Sequence, residues 1–252
     1  MSRSTNVDLP RRGVDWNRGW RAFGFVVLPL ASRVLRLHIR GEQNLPQVGA
    51  FVVAANHYTT VDPIAVGLAV ARMGRAPHFL LKASLLRLPV LGPILRRLGM
   101  IPVERAARGG GDPLAQAGAL IARGGGVVIY PEGTLTRDPD LWPMRGKTGA
   151  VRAALGAGIP LVPVAHWGAQ KVLPPYGGTL KIVPRQVVEI LVGEPLDLSP
   201  WAGQPMTGRL ADEVTTVLMN RIAELQGELR GETPPAERWD PAQHGQSEFG
   251  RP

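Results

Sequence analysis

Cysteine is absent from the 252 residues, which removes disulfides, thiolate metal ligands, iron–sulfur clusters and cysteine nucleophiles together. Lysine is scarce: only Lys82, Lys147, Lys171 and Lys181 stand among 29 basic residues, and the rest are arginine. Acids number 20, so the formal net charge is +9. The arginine bias has two readings, the base composition of a GC-rich genome or a preference for anionic partners such as phosphate groups and lipid headgroups. No apolar run approaches the roughly 20 residues of a membrane-spanning helix. The longest near the N-terminus, Phe23 to Ala31, contains Pro29, lies past residue 20 and lacks a small-x-small cleavage pattern, so a protein on the cytosolic side is expected. Aromatics are only 6 % of the chain, and no zinc finger, aromatic RNA-binding motif or clear helix-turn-helix signature occurs, so nucleic acid is not an expected partner. What remains is a folding composition, 44 % hydrophobic and 19 % charged, long enough for one large α/β domain or two small ones.

Residues 1–13 are polar and basic and are expected to be loose. From Asp15, a plausible N-cap, Trp16, Trp20, Phe23, Val27 and Leu30 recur at helical spacing, flanked by Arg18 and Arg21. Such a stripe either lies in a membrane interface, with Trp16, Trp20 and Phe23 at headgroup depth, or packs on the protein's own core. Pro29 is expected to kink or end this helix. Leu35, Leu37 and Ile39 alternate with Arg36, His38 and Arg40 as a half-buried strand, and Phe51–Ala55 reads as a buried one. Asp62-Pro63 marks a helix start. Further strands are expected at 78–81, 100–103, 127–130, 161–165 and 187–192, separated by helices or loops. The spacing predicts a last amphipathic helix through Leu210, Val214, Val217, Leu218, Ile222, Leu225 and Leu229. The polar, proline-rich residues 231–252 read as a disordered tail. Strands alternating with helices predict an α/β single domain over 35–230. It would hold a largely parallel mixed sheet flanked by helices, preceded by the N-terminal amphipathic element of residues 1–34. Ligands of such sheets gather beyond the C-terminal strand ends. The loops beginning at Asn56, Glu104 and Pro131 would then share one rim.

Of five histidines, His57 leaves a buried strand five residues before Asp62 at a helix start. A carboxylate so placed can hold one imidazole nitrogen and leave the other as a base near neutral pH. Asp62 can equally serve as a plain N-cap, and the two roles are compatible. The chain has no Gly-x-Ser-x-Gly elbow, and none of its serines is placed as an acyl-carrying nucleophile. A base without its own nucleophile suggests that the substrate supplies the hydroxyl. Metal hydrolysis is disfavoured because His-Glu-x-x-His is missing, and no spacing argument joins His57, Asp62, Glu132 and His166 into a metal site.

Four blocks occur in order: Asn56-His57-(four residues)-Asp62-Pro63, Ile101-Pro102-Val103-Glu104-Arg105, Tyr130-Pro131-Glu132-Gly133-Thr134 and Ile159–Ala165. Together, across about residues 35–195, they resemble the motif blocks of the 1-acylglycerol-3-phosphate acyltransferase family. The N-terminal stripe is also similar to the membrane-docking element of bacterial members. The resemblance implies transfer of a fatty acyl group from acyl-CoA or acyl carrier protein to lysophosphatidic acid, yielding phosphatidic acid. His57 would take the proton of the acceptor hydroxyl and Asp62 would orient it, with no metal or redox cofactor. Arg105 and Lys82 would bind the acceptor phosphate. Glu132 would organise acceptor binding or its own loop, and backbone N–H groups near Gly133 and Thr134 would face the oxyanion. Lys147 resembles a family position for a donor-phosphate contact.

Two departures stand out. Leu135 occupies a position where many relatives carry arginine, leaving Arg137 as the substitute phosphate contact, and Ala83-Ser84 follows Lys82 where an acid is common. Other acceptors therefore stay open, namely glycerol 3-phosphate, another lysophospholipid or a glycolipid, as does a non-catalytic lipid-binding protein. The expected setting is the cytoplasmic face of the cell membrane, with membrane lipids and the acyl donor as partners.

Overall fold

Every residue of Phe51–Ala55 is buried, the mark of a strand covered on both faces. Phe51, Val53 and Ala55 point into one apolar cluster and Val52 and Ala54 into another, because successive strand side chains alternate. The computed structural model describes residues 16, 18–103 and 113–247. Its strands are β1 Leu35–Arg40, β2 Phe51–Ala55, β3 His78–Lys82, β4 Ile101–Val103, β5 Gly126–Ile129, β6 Leu161–Trp167 and β7 Gln186–Val192. Its helices are α1 Arg18–Val34, α2 Asp62–Arg72, α3 Leu91–Arg97, α4 Pro113–Ile121, α5 Gly149–Ala157 and α6 Gly208–Arg230.

The strands form one sheet in the order β1-β7-β6-β2-β5-β3-β4. All neighbours are parallel except β6 and β7, which run antiparallel. The α/β domain expected from the alternation of elements is therefore present, as a mixed sheet. Helix α2 packs into the cluster on one face, and α4, α5 and α6 cover the other. Since β2 lies between β6 and β5, the loops leaving these three strands meet at one edge.

The ends of the chain differ from expectation. Pro29 does not end α1, which continues to Val34. Trp20 is 4 % exposed and packs on Ala76 and Leu98, with its indole N–H donating to the Leu98 carbonyl at 2.9 Å. Half-buried Trp16 donates to the Gly74 carbonyl at 3.0 Å. These tryptophans thus pack on the protein's own core instead of facing a bilayer; a stripe at helical spacing looks the same for either partner. The side chain of Phe23 lies outside the described residues. The polar segment after α6 is not disordered as far as residue 247. Gly231 closes α6 in the left-handed region at φ 68°, and the chain returns so that the Arg145 N–H bonds the Trp239 carbonyl at 2.9 Å. Arg145 also pairs with Asp240 at 2.9 Å, and Trp239 stacks on His244. Few but well-placed anchors outweigh composition here. Residues 1–13 lie outside the described residues, as do 248–252.

Candidate active site

Asn56 to Val61 carry the chain from the end of β2 into α2. The Asp62 N–H bonds the Thr59 carbonyl at 3.2 Å, a tight turn that swings the Asp62 side chain back over the loop. One carboxylate oxygen, Oδ2, accepts the backbone N–H of Tyr58 at 2.7 Å and of Thr59 at 2.8 Å. His57 Nδ1 lies 3.0 Å from that same oxygen. Asp62 is fully buried, whereas the His57 side chain keeps 17 % of its surface exposed. The helix-capping role expected of Asp62 is not taken up. Val61 occupies the N-cap without a side-chain bond, and the carboxylate serves the loop and the imidazole. With Nδ1 donating to Asp62, the lone pair of Nε2 is left for a ligand.

Glu132 fixes the backbone beneath the ring. Its Oε1 accepts the His57 N–H at 2.8 Å and its Oε2 the Met144 N–H at 3.1 Å. The Thr136 N–H bonds the His57 carbonyl at 2.6 Å. Burial pushes the Glu132 carboxyl up to about 8, against the pull of these two N–H donors. Of the two roles expected for Glu132, its position serves the organisation of the loop. The ring of His57 stacks on Tyr130, centroids 4.1 Å apart.

A cavity of about 1030 Å³ opens beside His57. Its walls are overwhelmingly apolar, from Trp20 and Gly24 of α1 through Ile64 and Leu68 of α2 to Phe79 and Met100. Lys82, Lys147 and Gly133 also line it, and both lysines are exposed. Gly133 sits at φ +70°, and a Cβ there would approach the Lys147 side chain to 3.3 Å, so glycine lets the lysine lie across this loop. The amide of Gly133 is bonded to the Tyr130 carbonyl at 3.0 Å, which removes it from the expected role of facing an oxyanion. Thr134 and Arg137 do not line the cavity. Arg137 is 4 % exposed and lies within electrostatic reach of Tyr176. Glu104 and Arg105 lie outside the described residues.

Glu132 and His166, which no sequence spacing connects to the His57–Asp62 pair, join it in one site. His166 lies 3.8 Å from Asp62 Oδ2 and is fully buried. Among the described residues no group of three or more His, Asp or Glu side chains has the arrangement to hold a metal ion. The sequence offers His166 only as a disfavoured metal ligand, and neither its bonds to Asn56 and Tyr58 nor the stacking of Tyr130 on His57 is legible there. A signal was available for Tyr130, which directly follows the buried run Val127–Ile129.

The family model described as Acyltransferase matches residues 36–167, just over half of the chain. The chain belongs to the acyltransferase family. This acyltransferase is 31 % identical over 204 residues to 1-acyl-sn-glycerol-3-phosphate acyltransferase of Bacillus subtilis (strain 168), covering 81 % of its own length and 94 % of the relative's. It is 26 % identical over 198 residues to the Escherichia coli (strain K12) protein of the same name, covering 77 % and 76 %. The crystal structure of the 1-acyl-sn-glycerophosphate (LPA) acyltransferase PlsC from Thermotoga maritima superposes with a TM-score of 0.57 at 22 % identity, over 88 % of this acyltransferase and 78 % of that chain. This last likeness concerns the fold.

Proposed function

We propose that the enzyme moves a fatty acyl group from a thioester, acyl-CoA or acyl carrier protein, onto the free hydroxyl of a 1-acylglycerol 3-phosphate, producing phosphatidic acid. The observation that carries this reading is the 3.0 Å contact of His57 Nδ1 with Asp62 beside a large apolar cavity. The names of the Bacillus subtilis and Escherichia coli relatives support the acceptor. In the step itself, the acceptor oxygen attacks the thioester carbonyl carbon while His57 Nε2 takes its proton. The tetrahedral adduct then expels the thiolate, which recovers that proton from the imidazolium. A C–O bond forms, a C–S bond breaks, and no protein ester intervenes. General-base help of this kind contributes roughly 10²- to 10⁴-fold, and the neighbouring carboxylate supports the transient imidazolium. The chemistry calls for no metal or redox cofactor. Lys82 and Lys147 at the cavity supply cations for acceptor and donor phosphates.

Substrate and product of this reaction are bilayer lipids, and the reading includes peripheral attachment to the cytoplasmic face of the membrane. The surface best suited to it follows β3. From Pro63 to Val103 the chain contains no Asp or Glu. Within that stretch Leu85, Leu88, Leu91 and Ile94 are exposed, and Val90 is 75 % exposed. Exposed Arg87, Arg96 and Arg97 flank them. Leu85, Leu91 and Ile94 also line the cavity, so an apolar path joins this surface to His57. Aliphatic side chains among arginines without acids suit an anionic bilayer surface.

The test is acyl transfer by the purified protein, with 1-acylglycerol 3-phosphate competing against glycerol 3-phosphate, other lysophospholipids and a glycolipid for one labelled acyl-CoA. Preference for 1-acylglycerol 3-phosphate is expected; absence of that preference contradicts the acceptor assignment.

A further inference from the structure

His166 is a buried imidazole that the proposed reaction does not use. It stands near the end of β6, next to β2, where Ala55 pairs with Val164. Its Nε2 lies 2.9 Å from the Asn56 carbonyl oxygen and its Nδ1 lies 3.1 Å from the Tyr58 hydroxyl. A carbonyl oxygen only accepts, so Nε2 carries the hydrogen. The Tyr58 hydroxyl lies 3.1 Å from Nδ1 and 3.3 Å from the His166 carbonyl oxygen, so its one proton is shared between two acceptors of the same residue. Burial holds the His166 ring below the usual imidazole range, in keeping with a neutral ring that donates on one side and accepts on the other. The main chain of His166 is tied to the same segment. Its N–H donates to Asn56 Oδ1 at 2.9 Å, and its carbonyl accepts from Asn56 Nδ2 at 3.1 Å.

The residues held are those on either side of His57. Asn56 precedes the base, and Tyr58 follows it while also sending its N–H to Asp62 at 2.7 Å. We propose that His166 is a positioning residue: by gripping the chain before and after His57, it sets the direction of the base and the seat of the Asp62 oxygen. The inference rests on the reading of His57 as the base. It also accounts for an enclosed imidazole on a strand that otherwise buries aliphatic side chains. A misdirected base lowers the rate of the chemical step while leaving the binding cavity, which His166 does not line, as it was.

His166→Phe keeps the ring volume and removes both hydrogen bonds, and His166→Gln restores one donor and one acceptor in similar places. For His166→Phe we expect kcat to fall about 100-fold, the cost of misplacing a reacting group by about 1 Å, with KM within about twofold. His166→Gln recovers most of this loss. The NMR resonance of the hydrogen-bonded His57 Nδ1 proton, a readout that a merely structural role would not move, shifts or broadens in the Phe variant and returns in the Gln variant. Tyr58→Phe removes only the hydroxyl and gives a smaller loss of the same kind, which keeps the test open should His166→Phe fail to fold. Folded Phe variants at both positions with parental kcat and an unchanged Nδ1 resonance would overturn the inference, as would a Gln variant no better than Phe. A His57→Ala variant with parental turnover would instead overturn the base reading beneath it.

Discussion

His57 and Tyr130 stack face to face, their centroids 4.1 Å apart and their planes 18° from parallel. With Asp62 holding Nδ1 at 3.0 Å, this contact restrains the remaining rotation of the imidazole about its own bond. Burial pushes the Tyr130 hydroxyl well above its ordinary value, and that oxygen meets no hydrogen-bond partner among the described residues. The contact of Tyr130 with His57 runs through its ring.

Tyr130→Phe accordingly keeps the stack and frees the protein of a buried unpaired hydroxyl. A melting temperature equal to or above the parent's is expected, reflecting up to about 1–3 kcal/mol of relieved desolvation, with turnover close to parental. Tyr130→Ala opens a gap beside the imidazole and should lower turnover markedly in a folded protein. Thermal unfolding and steady-state kinetics on both variants check this; a Phe variant as impaired as the Ala variant would give the hydroxyl a role after all.

Glu132 gives a prediction in pH. Its carboxyl titrates near 4.5 when unfolded and is raised to about 8 by burial. Between those values the folded state holds a proton that the unfolded state has released, so stability falls as pH rises through this window and levels off above it. One such proton contributes at most about 1.4 kcal/mol per pH unit. The melting temperature should therefore drop between pH 6 and pH 9. Glu132→Gln, which keeps one acceptor for the His57 or Met144 amide, should be less stable at pH 6 but show a flatter profile. A parental profile in the Gln variant would assign the slope to another group.

The contrast between what was legible and what was not follows sequence distance. His57 and Asp62 are five residues apart in one turn, and the strand, histidine, Asp-Pro order allows their pairing, with a plain N-cap as the alternative that the structure does not take up. Glu132 is reached only through the resemblance of whole motif blocks, because its bond to the His57 amide joins β2 to a loop 75 residues away. His166 contacts Asn56 across 110 residues, and only knowledge that β6 lies beside β2 would bring them together. Trp16 and Trp20 fail for a different reason: a periodic apolar stripe states that one helix face is covered, without naming what covers it. The polar segment after α6 shows composition misleading in the opposite direction, since Trp239 and Asp240 suffice to fasten it.

The bilayer surface is tested by Leu88→Asp combined with Val90→Asp. Val48→Asp is the matched control, since Val48 is 80 % exposed and lies before β2, away from the strand ends that carry the site. Co-sedimentation with phosphatidylglycerol-containing vesicles should be lost in the double variant and kept in the control. Activity on a short-chain, monomerically dissolved acceptor should survive in both. Parental sedimentation by the double variant would contradict this surface, and so would a change confined to self-association of the protein.

The account depends most on the imidazole of His57 as the group that deprotonates the acceptor. The most direct measurement is acyl transfer by His57→Ala alongside equilibrium binding of the acyl donor. The account predicts turnover reduced on the order of 10²- to 10⁴-fold with donor affinity essentially retained; a folded His57→Ala enzyme that turns over like the parent would contradict it.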